Sequence, residues 1–207
     1  MRIGRVNNIS FNQNVNAVQA AKLSNKQTVE KLMANGVNII DPEHVWISPE
    51  TKIEAGTTIL PFVYIAGKNI IGKDCQIGPF SHLRGNVTVG DNVRIGNFVE
   101  VKNSTIKSNT NVSHLSYIGD SDLGKGVNIG AGTITANYNP YTKEKKRTTI
   151  EDNANTGSNS TLVAPVKLGA NAFLAAGSVA TKDVPPNALV LTRTRQTVIP
   201  NWVKKFQ

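Results

Sequence analysis

Three histidines, one cysteine and a scatter of basic residues are what this chain offers for chemistry. His44, His82 and His114 stand 38 and 32 residues apart. A zinc site gathers three or four ligands, and these imidazoles show no paired spacing, so metal-assisted hydrolysis is not expected. Cys75 is alone, which excludes a disulfide framework and any multi-cysteine metal or iron–sulfur site. No Ser/His/Asp or Cys/His nucleophile pattern is present, and no Gly-rich phosphate loop follows a strand and opens a helix. What remains is acyl transfer by direct attack, in which a lone histidine serves as general base. His114 is the candidate, in Ser113-His114-Leu115-Ser116-Tyr117 with polar outward neighbours. His44 reads as surface or cap, and His82 as a coil-surface residue.

The elements that must position His114 are set by a repeat. From Ile47 an aliphatic residue recurs at every sixth place through Val101: Ile53, Ile59, Ile65, Ile71 and onward. The frame slips by one residue to Ile106, Val112 and Ile118, and again to Leu123 and Ile129. It returns at Ile150, passes through Thr156, and takes Leu162, Leu168 and Leu174. Six fits neither helical period nor simple strand alternation. It fits a hexapeptide solenoid, three hexads to a triangular coil. The fold class is therefore all-β, a parallel β-helix of hexapeptide repeats, left-handed as this repeat class is. Aliphatic residues point inward, and the small or β-branched residues four places on, Cys75 among them, fill inner slots. Cys75 reads as a buried structural thiol. Gly and Asn beside the inward residue suit corners of unusual φ/ψ.

Residues 15–36 carry helical signals, with Ser24 and Gln27 as a capping box and Gly36 as a stop. This helix is the expected cap over the open end of the solenoid. The organisation expected is a flexible segment at 1–14, a helical cap at 15–40, a solenoid over 41–184 and a basic tail at 185–207. Pro185-Pro186 closes the repeat. Residues 136–147 break the ladder and must bulge from the wall, where excursions are commonly functional.

With 23 Lys+Arg against 14 Asp+Glu, the net charge is +9, and the pI is about 9.7. That balance admits nucleic acid, an anionic membrane or a phosphorylated small molecule as partner. No nucleic-acid module accompanies the basic residues, no apolar run has the length of a membrane span, and Met1–Asn14 does not read as a secretory signal. A cytoplasmic protein with neither nucleic-acid nor membrane partners is expected. At 39% hydrophobic and 6% aromatic residues, its core must be mostly aliphatic.

Several ordered stretches carry a family resemblance. These are Phe80-Ser81-His82-Leu83-Arg84, Gly96-Asn97-Phe98-Val99-Glu100-Val101-Lys102, His114-Leu115-Ser116-Tyr117-Ile118-Gly119-Asp120, and Val127 through Tyr138. Over roughly residues 37–202 the chain resembles the C-terminal acetyltransferase domain of bifunctional N-acetylglucosamine-1-phosphate uridyltransferase/glucosamine-1-phosphate acetyltransferase. The resemblance implies an acetyl-CoA-dependent enzyme, homotrimeric, with sites between neighbouring subunits and no metal in acetyl transfer. Arg84, Lys102, Tyr117, Asn128 and Lys145 would bind an amino-sugar phosphate, with Lys143 and Lys146 as alternatives to Lys145. His114 would be the base. Asn137 and Tyr138 would sit by the acetyl group, with Asn137 donating to the oxyanion, and Ser158, Ala176 and Arg193 would contact coenzyme A.

The chain departs from that pattern at Asn139, where the family has Asp, and at Ser113, where it has Gly. Two extra residues stand between Tyr138 and the phosphate lysine. No A-G-x-G-T-R-M start of a nucleotidyltransferase is present, so the uridyltransferase reaction is expected to be missing. Two alternatives stay open: an acyltransferase with another sugar acceptor, or a non-catalytic sugar-nucleotide-binding β-helix.

Overall fold

The computed structural model describes residues 8–207. Twenty-four strands of two to four residues form three parallel sheets of nine, eight and seven strands. Each strand pairs with the one three places on, except at the last rung, so the chain winds as a triangular prism, a left-handed parallel β-helix. We call the faces A, B and C, starting at Asn38–Ile39, Trp46–Ile47 and Lys52–Ile53. All twenty residues of the sixfold series are buried, so the period does point inward. Matching registers such as Ile59 beside Ile77 and Ile77 beside Ile95 stack them coil upon coil.

The polar exceptions are satisfied by bonds. Thr156 accepts from Gly130 N–H at 3.0 Å and pairs with the Thr133 hydroxyl at 2.9 Å. The ladder also continues at Thr135, six after Ile129, whose hydroxyl accepts from Gly119 N–H at 2.8 Å. Cys75 is buried, its thiol donates to the Gly90 carbonyl at 3.1 Å, and desolvation pushes its pKa up.

The corners differ from the sequence expectation. Outside glycine, positive φ is carried mostly by Asn and Asp, and by Phe62, Phe80, Phe98 and Leu115, while glycines such as Gly67, Gly85 and Gly132 share it. Most glycines that follow an inward residue serve close packing instead. A Cβ on Gly96 would lie 1.9 Å from the Ser113 carbonyl oxygen of the next coil.

Helix α1 spans Asn8–Ala34. It is longer than expected: residues 1–7 lie outside the described residues, and 8–14 form its first turns rather than part of a flexible segment. Ser24 and Gln27 are mid-helix, so no capping box operates there; the Ser24 carbonyl accepts from the Thr28 hydroxyl instead. The stop does fall at Gly36, whose φ of 89° closes a Schellman turn with Val37 N–H on Leu32 O and Gly36 N–H on Met33 O. Val29 and Leu32 are buried over the first coil. Asn25 replaces a missing strand there, donating to Val45 O at 3.0 Å and accepting from Ile47 N–H at 2.8 Å.

The solenoid also outruns its expected bounds of 41 and 184. It begins at Asn38–Ile39, and Leu189–Val190 adds a rung on face A beyond Pro185-Pro186. Those prolines sit between Val184 N–H and Asn187 N–H, which make the coil-to-coil bonds, so their missing N–H groups break no ladder. No helix among the described residues is long and apolar enough to cross a membrane.

Candidate active site

His114 ends the strand Asn111–His114 on face A, at the corner leading to face B, and is exposed. Its register partner in the coil above is Asn97, whose side-chain oxygen lies 3.0 Å from Nδ1. In the tautomer that donates from Nδ1 to the Asn97 carbonyl, Nε2 keeps its lone pair. Sequence reasoning gave Asn97 no role. The signal for one was its place a coil above His114.

Below His114 the corner is stripped of bulk. Gly132 N–H bonds His114 O, Asn159 N–H bonds Ala131 O, and Gly177 N–H bonds Ser158 O. His114, Ala131, Ser158 and Ala176 therefore stack in one column, and Arg193 closes its foot by donating to Ala176 O at 3.0 Å. At one strand spacing per coil, the column runs about 14 Å from His114 to Ala176. Above His114 the neighbouring corner column is aromatic instead, with Phe62, Phe80 and Phe98 stacked at 4.8 and 5.2 Å.

Face B carries the polar cluster. Tyr64, His82, Glu100 and Tyr117 form its middle column, and Arg84 and Lys102 its far edge. The Tyr117 ring lies over Gly119, where a Cβ would meet the phenol oxygen at 2.4 Å. Only glycine leaves room for the phenol there. Arg84 pairs with Glu100 at 2.7 Å, and this bond holds its pKa up. His82, partly desolvated, is held below the usual histidine range.

The excursion Asn137–Arg147 is a projecting hairpin, closed by an antiparallel bridge between Tyr138 and Lys145. Asn139, which replaces the family's Asp, keeps an acceptor: its side-chain oxygen takes Tyr141 N–H at 2.9 Å. The hairpin brings Lys145 against Lys102, and that contact holds Lys102 below the ordinary lysine range. Of the other two lysines considered, Lys146 pairs with Glu144 at 3.3 Å and Lys143 occupies a left-handed turn. Asn137 is buried at the hairpin's base and donates to Asp120, another residue to which the sequence attached no role.

One chain thus gathers Arg84, Lys102, Tyr117 and Lys145 on and beside face B, and His114, Ser158, Ala176 and Arg193 along the adjoining corner. Asn128 is separate. It stands on face A between Asn111 and Asn155, pointing away from Tyr117. A concavity of about 620 Å³ on face C contains none of these residues. Among the described residues, no group of three His, Cys, Asp or Glu could hold a metal ion.

A left-handed parallel solenoid of hexapeptide repeats is the fold of the hexapeptide-repeat transferases. The family of bacterial transferase hexapeptides (six repeats) matches residues 70–103, and the hexapeptide repeat of succinyl-transferase matches 147–182. The bifunctional protein GlmU of Caldanaerobacter subterraneus subsp. tengcongensis is 41% identical over 95% of this chain and 50% of its own. That of Thermosipho melanesiensis is 44% identical over 91% and 49%. Among solved structures, the Francisella novicida UDP-N-acetylglucosamine acyltransferase has a TM-score of 0.55 at 18% identity, covering 73% of this chain and 65% of its own, a likeness of fold. The chain belongs to the hexapeptide-repeat acyltransferase family, and it is similar to the C-terminal acetyltransferase domain of the bifunctional GlmU proteins. It spans about half the length of the relatives it matches.

Proposed function

We propose that this chain transfers the acetyl group of acetyl-CoA to the 2-amino group of glucosamine 1-phosphate. The observation that carries this reading is the gathering of Arg84 and Lys102 at one edge of face B, with Lys145 of the adjoining hairpin beside them. Cations gathered in this way suit a phosphate dianion. Tyr117 would bond a sugar hydroxyl between the phosphate and His114. The donor would lie down the bare corner, its pantetheine past Ser158 and Ala176 and a phosphate on Arg193, with its thioester between His114 of one copy and Asn137 and Tyr138 of a neighbouring copy, because those two stand at the far edge of face B from His114.

The amine nitrogen attacks the thioester carbon, and Nε2 of His114 takes a proton from it. Asn137 donates to the oxyanion. The carbon–sulfur bond then breaks, and the thiolate leaves, collecting the proton from His114. No metal enters these steps, so activity survives a chelator. Acetyl-CoA availability suits a cytoplasmic setting.

Asn128 supports a homotrimer: adjacent faces of a triangular prism diverge, so Asn128 meets a sugar on face B only if it belongs to another copy. Mixing Tyr117→Ala with Asn128→Ala protein should then rebuild intact sites, in about a quarter of positions under random assembly. Recovery no better than either variant alone would reject the shared site. The reading as a whole is tested by incubation with acetyl-CoA and glucosamine 1-phosphate and mass spectrometry of the sugar. N-acetylated sugar with stoichiometric thiol is expected. Acetylation of a different amino sugar in a parallel panel would move the acceptor assignment, and bound sugar without thiol release would favour the non-catalytic reading.

A further inference from the structure

Asp120 is a buried carboxylate that the mechanism above does not use. It occupies the corner between faces B and C, at a φ of 48°. Other left-handed corners of the wall are mostly asparagine, among them Asn86, Asn92, Asn109 and Asn153, so an amide side chain is sufficient to make the turn. At Asp120 the neighbours explain the difference. Oδ1 accepts from the side-chain nitrogen of Asn103 in the coil above, at 2.5 Å, and Oδ2 accepts from the side-chain nitrogen of Asn137 below. Its main chain links the same two levels, N–H to Lys102 O and C=O to Thr148 N–H.

An asparagine has one side-chain acceptor and could satisfy only one of these two amides. A carboxylate accepts from both, and because it only accepts, it dictates which way each amide is turned. We propose that Asp120 is a positioning residue that fixes the Asn137 side chain with its nitrogen anchored, so that the second amide hydrogen is held ready for the acetyl oxygen. The kinetic consequence rests on the acetyl-transfer reading, whereas the orientation itself does not. Charge-assisted bonds of this kind are short and strong, which offsets the cost of burying the carboxylate. Lys102 and Arg147 both feel its charge as well.

The test compares the wild type with Asp120→Asn and with the swap Asp120→Asn/Asn137→Asp. Asp120→Asn keeps a corner-compatible residue, so it should fold, with its melting temperature lowered by the loss of one buried hydrogen bond. One of the two amides must turn over or lose its partner. With the Asn137 donor misdirected, kcat should fall by about 10²–10³, the usual worth of an oxyanion donor, with no rise in KM for the sugar phosphate. The swap restores a bonded pair but leaves position 137 without a hydrogen to donate, so its stability should recover and its turnover should not. A purely structural Asp120 predicts the opposite, with turnover returning to within tenfold of wild type in the swap. That result would overturn the proposal. Orientation is read separately from the Asn137 side-chain NH₂ signals in ¹⁵N-asparagine-labelled protein. Slow hydrogen exchange in the wild type, lost in Asp120→Asn, is expected. Unchanged exchange would overturn the proposal even if the wild type fails to acetylate the sugar, an outcome that counts against the acetyl-transfer reading alone.

Discussion

Asn97→Asp changes one atom beside the base and should move the pH dependence of catalysis by a calculable amount. The Asn97 oxygen lies 3.0 Å from Nδ1 of His114. Replacing the amide with a carboxylate puts a negative charge at that distance from the imidazolium. With the dielectric of water, because His114 is exposed, the attraction is about 1.4 kcal/mol, which corresponds to one pH unit. The charged imidazolium is favoured, so more alkaline solution is needed to free the base. The acid limb of kcat/KM should shift up by about one unit, leaving the alkaline plateau where it was. The assay is thiol release over a pH series spanning neutrality, with His114→Ala as the inactive reference. An unmoved limb would mean either that His114 is not the base or that Asn97 does not touch it in the working enzyme, and a lowered plateau would mean that the amide nitrogen matters as well.

His114→Ala should lower kcat by about two to four orders of magnitude with little change in KM for the sugar phosphate, measured by initial rates. Lys145→Met should raise that KM several-fold while Lys146→Met does not, because Lys145 is the lysine that meets Lys102. Lys102 is held below the ordinary lysine range, so its charged form costs stability at neutral pH, and that cost disappears as pH rises through the range where the unfolded chain loses its proton. Lys145→Met should therefore raise the ligand-free melting temperature by about 1–3 °C at pH 7 and flatten its alkaline rise, followed by calorimetry. Gly177→Phe should fold, since Phe62, Phe80 and Phe98 adopt the same left-handed corner, and a Cβ at Gly177 meets nothing within 4 Å. It should put a ring into the donor groove beside Ala176 and raise KM for acetyl-CoA at least tenfold, read by titration of the donor.

The inward ladder was legible because burial of one side chain in six is a property of sequence alone. Even its weak member, Thr156, is where the spacing puts it. Thr135 was hidden because a threonine can fill an inward slot once its hydroxyl has partners, and composition does not reveal partners. The glycines were misread for a related reason. Gly96 follows Ile95 as a corner glycine would, but the constraint comes from Ser113, seventeen residues away and one coil below. The length of α1 escaped because the Ser24/Gln27 pair looks like a helix start, although nothing in those side chains interrupts a helix already formed.

The partners of the site were less visible than its principal residues, yet the sequence does mark them. A regular coil takes six residues from face B to face C, as from Leu83 to Val89. The two frame slips, Val101 to Ile106 and Ile118 to Leu123, shorten that step to five residues. Each shortened corner has a single left-handed residue, Asn103 in one and Asp120 in the next. Asn103 and Asp120 are hydrogen-bonded to each other, Asn103 follows Lys102, and Asp120 holds Asn137. Losing one residue from each of two successive corners thus coincides with the place where the cationic edge of face B and the base of the hairpin are tied together. A slip in a solenoid's period is usually dismissed as noise in the repeat. Here it coincides with the corner where Asn103, Asp120 and Asn137 are bonded together, and it marks Asp120 at a place where the residue type alone would suggest another ordinary turn.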